Sequence, residues 1–208
     1  MKVKIVSFCT EGAYQAEALP LCQSASRYKL DFNLVTYTKS FLPDWEQAVC
    51  YKPLFILQQI RLWDQHDWVV WTDADSEFIR QPDWLRIPQH ADIAWYFFQR
   101  HPGQIHECLT GTMAFRPNRS TIEFVERWVE LTESSRNSST PEQRSLQKMW
   151  LEESKLGYPN IGNVFWRDAR IGILPKEFVW ILDDFPAIYG EGCEPMILHR
   201  QASRRLRT

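Results

Sequence analysis

The chain has 208 residues, 44% hydrophobic and 24% charged, with a formal net charge of −2. This length suits one ordinary domain with a sizeable core, and the composition excludes a disordered chain. The balanced charge excludes a global basic field for nucleic acid or an anionic membrane, and no apolar run approaches the ~18 residues of a membrane span.

Residues 3–9 read as a first strand buried on both faces. Met1-Lys2-Val3-Lys4 before Ile5–Cys9 superficially resembles a signal peptide, but the apolar part is too short and Glu11 interrupts it. Ala13–Tyr28 has helical spacing through Ala16, Leu19 and Cys22, with Pro20 placed to kink or divide it. Phe32–Tyr37 alternates as a second strand would. Lys52–Trp63 is predicted as a helix with Pro53 in its first turn and Leu54, Leu57 and Ile60 along one face. Trp68–Trp71 and Ile93–Phe98 follow as strands, and Thr112–Phe115 as a short extended piece. Ser120-Thr121-Ile122-Glu123 and Thr140-Pro141-Glu142-Gln143 are capping boxes that open two further helices. The second of these carries Leu146, Met149 and Trp150, and Gly157 is placed to end it. Short apolar pieces at 171–174, 178–182 and 196–198 complete the chain. Strands that alternate with helices predict a single α/β domain, Rossmann-related, with a mostly parallel central sheet.

The five cysteines (Cys9, Cys22, Cys50, Cys108, Cys193) are odd in number and lack Cys-x-x-Cys spacing. Neither a zinc knuckle nor a disulfide scaffold is expected; reduced thiols in a cytoplasmic protein are. There is no Gly-x-Gly-x-x-Gly and no Gly-Lys-Ser/Thr loop, which excludes a dinucleotide fingerprint and a P-loop. The ten Trp and twelve Phe mostly supply core.

The chemistry concentrates in Trp68-Val69-Val70-Trp71-Thr72-Asp73-Ala74-Asp75. A β-prone apolar run ending in two aspartates puts carboxylates at the carboxyl end of a strand, where open α/β sheets bind ligands. Two such carboxylates suit a hard divalent cation, which in turn holds phosphates. They do not fill its shell, and His199, after Met196-Ile197-Leu198, is the best further ligand; His66, His90, His101 and His106 lie in polar segments.

The series Thr10-Glu11, Tyr51-Lys52-Pro53, Thr72-Asp73-Ala74-Asp75, Thr110-Gly111-Thr112, Glu142-Gln143, Leu174-Pro175 and Ile197-Leu198-His199 resembles the GT-A superfamily of nucleotide-sugar-dependent glycosyltransferases. The likeness is to its compact families with a terminal histidine ligand, and it covers nearly the whole chain. It implies a GT-A-like domain over 1–208, with a nucleotide-binding half at 1–100 and a sugar and acceptor half at 101–208. It implies Mn2+ or Mg2+ held by Asp73, Asp75 and His199, and a nucleotide-sugar donor, a UDP-sugar first. Thr10 and Glu11 would receive the nucleoside, Asp73 would lie near the ribose, and Lys52 would approach the diphosphate. Gly111 and Thr112 would lie beside the donor sugar, and Gln143 near sugar or acceptor. The pattern departs from the family at Glu142, where Asp is common, and at Thr110, where Asn is common.

Loss of a nucleoside diphosphate leaves negative charge that a cation stabilises, with Lys52 and the tail residues Arg200 and Arg204 as further positive groups. An inverting enzyme also needs a carboxylate base at the acceptor hydroxyl; Asp183, Asp184 and Glu107 are available, with Asp184 preferred. The acceptor is open among a glycan, a lipid-linked sugar, a protein side chain and a modified nucleobase, the basic tail giving only slight support to a nucleic acid. Two rival readings stand beside this one. Asp73-Ala74-Asp75 with Leu182-Asp183-Asp184 also fits a haloacid-dehalogenase-like phosphohydrolase, although a strand-helix-strand unit precedes the motif. A non-catalytic sugar- or nucleotide-binding domain is the other.

Overall fold

The computed structural model describes residues 1–98, 107–135, 141–153, 164–182, 194–202 and 206. Strand β1 (Val3–Thr10) is buried along almost its whole length. The helical stretch after it divides, as Pro20 predicts, into α1 (Ala13–Glu17) and α2 (Leu19–Arg27), with the proline in the first turn of α2. Strand β2 (Phe32–Tyr37) follows. Helix α3 (Trp45–Leu62) starts well before the predicted Lys52, capped by Asp44, whose carboxylate accepts from the Gln47 N–H. Pro53 therefore lies inside the helix and leaves the Val49 carbonyl without its usual N–H partner. Burial of Val49, Cys50, Phe55, Ile56 and Ile60 outweighs that loss, at about 1.5–3 kcal/mol for each large apolar side chain.

Strand β3 (Trp68–Thr72) is wholly buried and turns directly into β4 (Ser76–Phe78). Next come β5 (Ile93–Phe98) and β6 (Glu107–Phe115), the latter longer than the predicted 112–115. Helix α4 (Arg119–Ser134) begins one residue before the predicted box, because the Asn118 side chain accepts from the Thr121 N–H and does the capping instead of Ser120. Helix α5 (Pro141–Glu153) opens on its proline as expected; its predicted stop at Gly157 lies outside the described residues. Short strands β7 (Val164–Trp166), β8 (Ala169–Ile173), β9 (Trp180–Ile181) and β10 (Ile197–His199) close the chain.

The main sheet has seven strands in the order β2-β1-β3-β6-β5-β8-β7. Strands β1, β2, β3, β5 and β8 point the same way, while β6 and β7 run against their neighbours. Side chains alternate between two cores. Val69, Trp71, Met113, Phe115 and Trp95 face α3, α4 and α5, whereas Trp68, Val70, Ala114 and Ala94 face α2 and the second sheet. Cover on both faces explains why these strands read as continuous apolar runs. The second sheet, β4-β10-β9, brings the end of β10 beside the turn after β3, pairing His199 with Ser76.

Candidate active site

The turn leaving β3 presents Asp73 and Asp75 at the carboxyl end of the sheet. It is fixed by backbone bonds from Asp73 N–H to the Gly111 carbonyl (2.8 Å) and from Ser76 N–H to the Asp73 carbonyl (3.1 Å). Asp75 is tied to the C-terminal segment: its carbonyl accepts from Arg200 N–H (3.0 Å) and its Oδ2 from Ala202 N–H (2.6 Å).

His199 is buried and clamped by hydroxyls. Its Nδ1 bonds Ser76 Oγ (3.0 Å) and its Nε2 bonds Thr112 Oγ1 (2.9 Å), while Thr72 Oγ1 donates to Ser76 Oγ (2.9 Å). The ring lies against Gly111, where an added Cβ would stand 3.0 Å from His199 Cε1. Burial lowers the His199 pKa, despite the opposing charges of Asp73 and Asp75, so the ring is neutral and able to ligate.

One potential ligand atom from each of Asp73, Asp75 and His199 lies within 4.8 Å of the other two. Two carboxylate oxygens and one imidazole nitrogen suit Mn2+ or Mg2+ with positions left for substrate. Burial and the neighbouring Asp73 charge push the Asp75 pKa up, a strain that a bound dication would relieve. Both imidazole nitrogens have hydroxyl partners, so ligation would replace one while the other continued to orient the ring.

Lys52 is also buried. Its ammonium donates to Asp73 Oδ1 (3.0 Å) and, at 3.5 Å, to Glu142 Oε1 and Thr110 Oγ1. Burial alone would lower its pKa, but the two carboxylates outweigh this and hold it above the ordinary lysine value. Glu142 is pushed up, by burial first and by Asp73 as well, against the pull of Lys52. Its Oε2 is buried with no hydrogen-bond partner among the described residues.

These groups line a cleft of about 380 Å³. Of the predicted residues, Thr10, Lys52, Asp73, Asp75, Gly111, Gln143, His199 and Glu107 line it. Thr112 lies behind His199 as its hydroxyl partner. Glu11 is exposed beside Thr10, outside the lining. The Arg200 guanidinium pairs with Glu77 and is also outside it. Asp183, Asp184 and Arg204 lie outside the described residues. Ser76 and Gln201 carry no signal in the sequence, and Glu142 and Thr110 stood out there only as departures from the family pattern, with no role assigned. For Glu142 a further signal existed, its place in the first turn of a helix that a proline opens.

No family profile matches the chain, and no curated protein sequence resembles it. Among solved structures it is similar to a glycosyltransferase involved in the glycosylation of the major capsid of PBCV-1. That likeness has a TM-score of 0.65 at 12% identity, and covers 97% of this chain and 93% of the other. The chain thus shares the fold of that protein, an α/β domain around a mostly parallel central sheet, as the sequence predicts. No helix among the described residues is long and apolar enough to cross a membrane.

Proposed function

We propose that this chain is a metal-dependent glycosyltransferase that moves a sugar from a nucleotide-sugar donor to an acceptor. The observation that carries this reading is the convergence of Asp73, Asp75 and His199 within 4.8 Å, in the cleft of a GT-A-like fold. Asp73, Asp75 and His199 would hold Mn2+ or Mg2+, which supplies stabilisation of charge on the departing diphosphate.

The remaining chemistry belongs to the chain. Lys52 holds Asp73 in place from behind, and its own charge is balanced by Asp73 and Glu142. It therefore acts on the diphosphate chiefly by positioning Asp73. Thr10, at the end of β1, lies on the nucleotide side, and we assign the nucleotide to residues 1–100. Gly111 and Gln143 lie with the sugar, in the half formed by 101–208. The bare α-carbon of Gly111 leaves room for the His199 ring. Of the three bases expected from the sequence, Glu107 is the one among the described residues; it lines the cleft, and we assign it as the alternative to Asp184 at the acceptor hydroxyl.

A UDP-sugar is the first donor to test, and a glycan or protein the first acceptor class, since the structural neighbour takes part in capsid glycosylation. We propose a cytoplasmic setting, where the described cysteines, none of them in a disulfide, would stay reduced. A screen of UDP-, GDP-, CMP- and TDP-sugars for manganese-dependent nucleotide release tests the reading. Release with one donor, abolished in Asp75→Ala, is expected. Hydrolysis of nitrophenyl phosphate with no nucleotide release from any sugar would favour a phosphohydrolase instead.

A further inference from the structure

Three described non-glycine residues have positive φ: Lys29, Arg167 and Gln201. The first two sit where such backbone is expected. Lys29 follows the end of α2, and Arg167 lies in the tight turn between β7 and β8. Gln201, with φ of 53°, belongs to neither kind of turn. It lies two residues beyond His199, in a segment whose backbone is held from both sides. Arg200 N–H bonds the Asp75 carbonyl, its guanidinium pairs with Glu77, and Ala202 N–H bonds Asp75 Oδ2 with Ala202 fully buried behind it. Two pinned neighbours thus hold Gln201 in a conformation that a residue with a Cβ disfavours.

The consequence of that twist is where the residue lies. Gln201 lines the cleft with Asp75 and His199, whereas the cationic Arg200 is turned out to Glu77. The Gln201 side-chain amide has no hydrogen-bond partner among the described residues, although it is half-buried. Glycine would satisfy the backbone without strain, but would bring no donor to the cleft. A neutral amide beside the two carboxylates offers two N–H donors to an anionic ligand without adding negative charge.

We propose that Gln201 is a ligand-contacting residue, its amide donating to a phosphate oxygen of the nucleoside diphosphate bound at the Asp73-Asp75-His199 cluster. This rests on the reading of the cleft as a nucleotide-sugar site. It also sharpens that reading: of the neighbours Arg200 and Gln201, the amide and not the guanidinium meets the phosphates.

The test is calorimetry of the intact chain with UDP, GDP, CDP and TDP in the presence of manganese, together with thermal melting of each variant without ligand. Gln201→Gly is expected to melt at the wild-type temperature or above it, and to bind the preferred diphosphate about tenfold more weakly. Gln201→Glu, which places a carboxylate against the phosphates, is expected to bind more weakly still. The corresponding nucleoside without phosphates should bind all three proteins alike. If wild type binds a diphosphate and Gln201→Gly binds it equally well, the inference is overturned while the nucleotide reading stands. If Gln201→Gly melts lower and loses nucleoside and diphosphate in proportion, Gln201 is merely structural and the inference again fails. If wild type binds none of the four diphosphates, the reading of the cleft falls and the inference with it.

Discussion

Two residues at the site allow quantitative tests. Lys52 is the cation between Asp73 and Glu142, and Lys52→Met would leave the buried Glu142 carboxylate and the partly exposed Asp73 carboxylate without it. Loss of one partner from such a group costs about 3 kcal/mol, and urea unfolding should show a loss of that order. Adding Glu142→Leu should recover part of it, because one stranded carboxylate then disappears. Gly111 makes the second test. Its substitution by alanine puts a methyl group 3.0 Å from His199 Cε1 and 3.1 Å from Nδ1, so the ring must shift. Manganese affinity of Gly111→Ala, measured by calorimetry, should fall about tenfold, as when groups that orient a metal ligand are disturbed. An unchanged affinity would mean that His199 does not ligate from this position.

Among the elements, the two helix starts that differ from expectation share a cause. Asp44 and Asn118 are the residues whose side chains accept the first free N–H groups, of Gln47 and Thr121. For α3 the pattern pointed to Pro53, because proline is commonest in a first turn, yet the apolar residues from Val49 onward already had a buried face to fill. Propensity yielded to packing. At the far end of β1 from the cleft, Lys4 and His66 both bond the Asp31 carboxylate, at 2.7 and 3.1 Å, joining β1, the α2–β2 connection and the α3–β3 connection. Burial tends to raise the Asp31 pKa, but the bonds and charges of Lys4 and His66 prevail and hold it below its ordinary 3.8. A depressed folded-state value means that the stabilisation is fully present above 3.8 and is lost as pH falls through the lower folded value. Asp31→Asn should therefore be less stable than wild type in urea at neutral pH, and the gap should close in acid. A gap that widens on acidification would contradict this assignment.

In the molecule as a whole, the cleft draws on segments from Phe8 to Gln201, and this governs how much of it the sequence displayed. Asp73 and Asp75 were legible because one short apolar strand leads straight into the turn that carries both. His199 was legible as the last residue of an apolar run. That β10 would pair with β4, and so set His199 opposite Ser76, was not, since β4 has only three residues and no periodicity to announce it. The partners that hold the histidine, Thr72, Ser76 and Thr112, are hydroxyls that look like ordinary strand residues until the two sheets meet. Gln201 was hidden for a different reason: its importance lies in a backbone angle imposed by its neighbours. The alternating strand and helix pattern did display the α/β architecture, because every central strand is covered on both faces.

The central claim is that Asp73, Asp75 and His199 form a divalent-cation site that holds a nucleoside diphosphate. Thermal melting of wild type and Asp75→Ala with a nucleoside diphosphate, with and without manganese, tests it most directly. The account predicts that wild type melts higher only when both are present, by the amount that mass action sets, and that Asp75→Ala does not respond. Equal stabilisation of the two proteins, or no response of wild type to any nucleoside diphosphate with manganese, would contradict it.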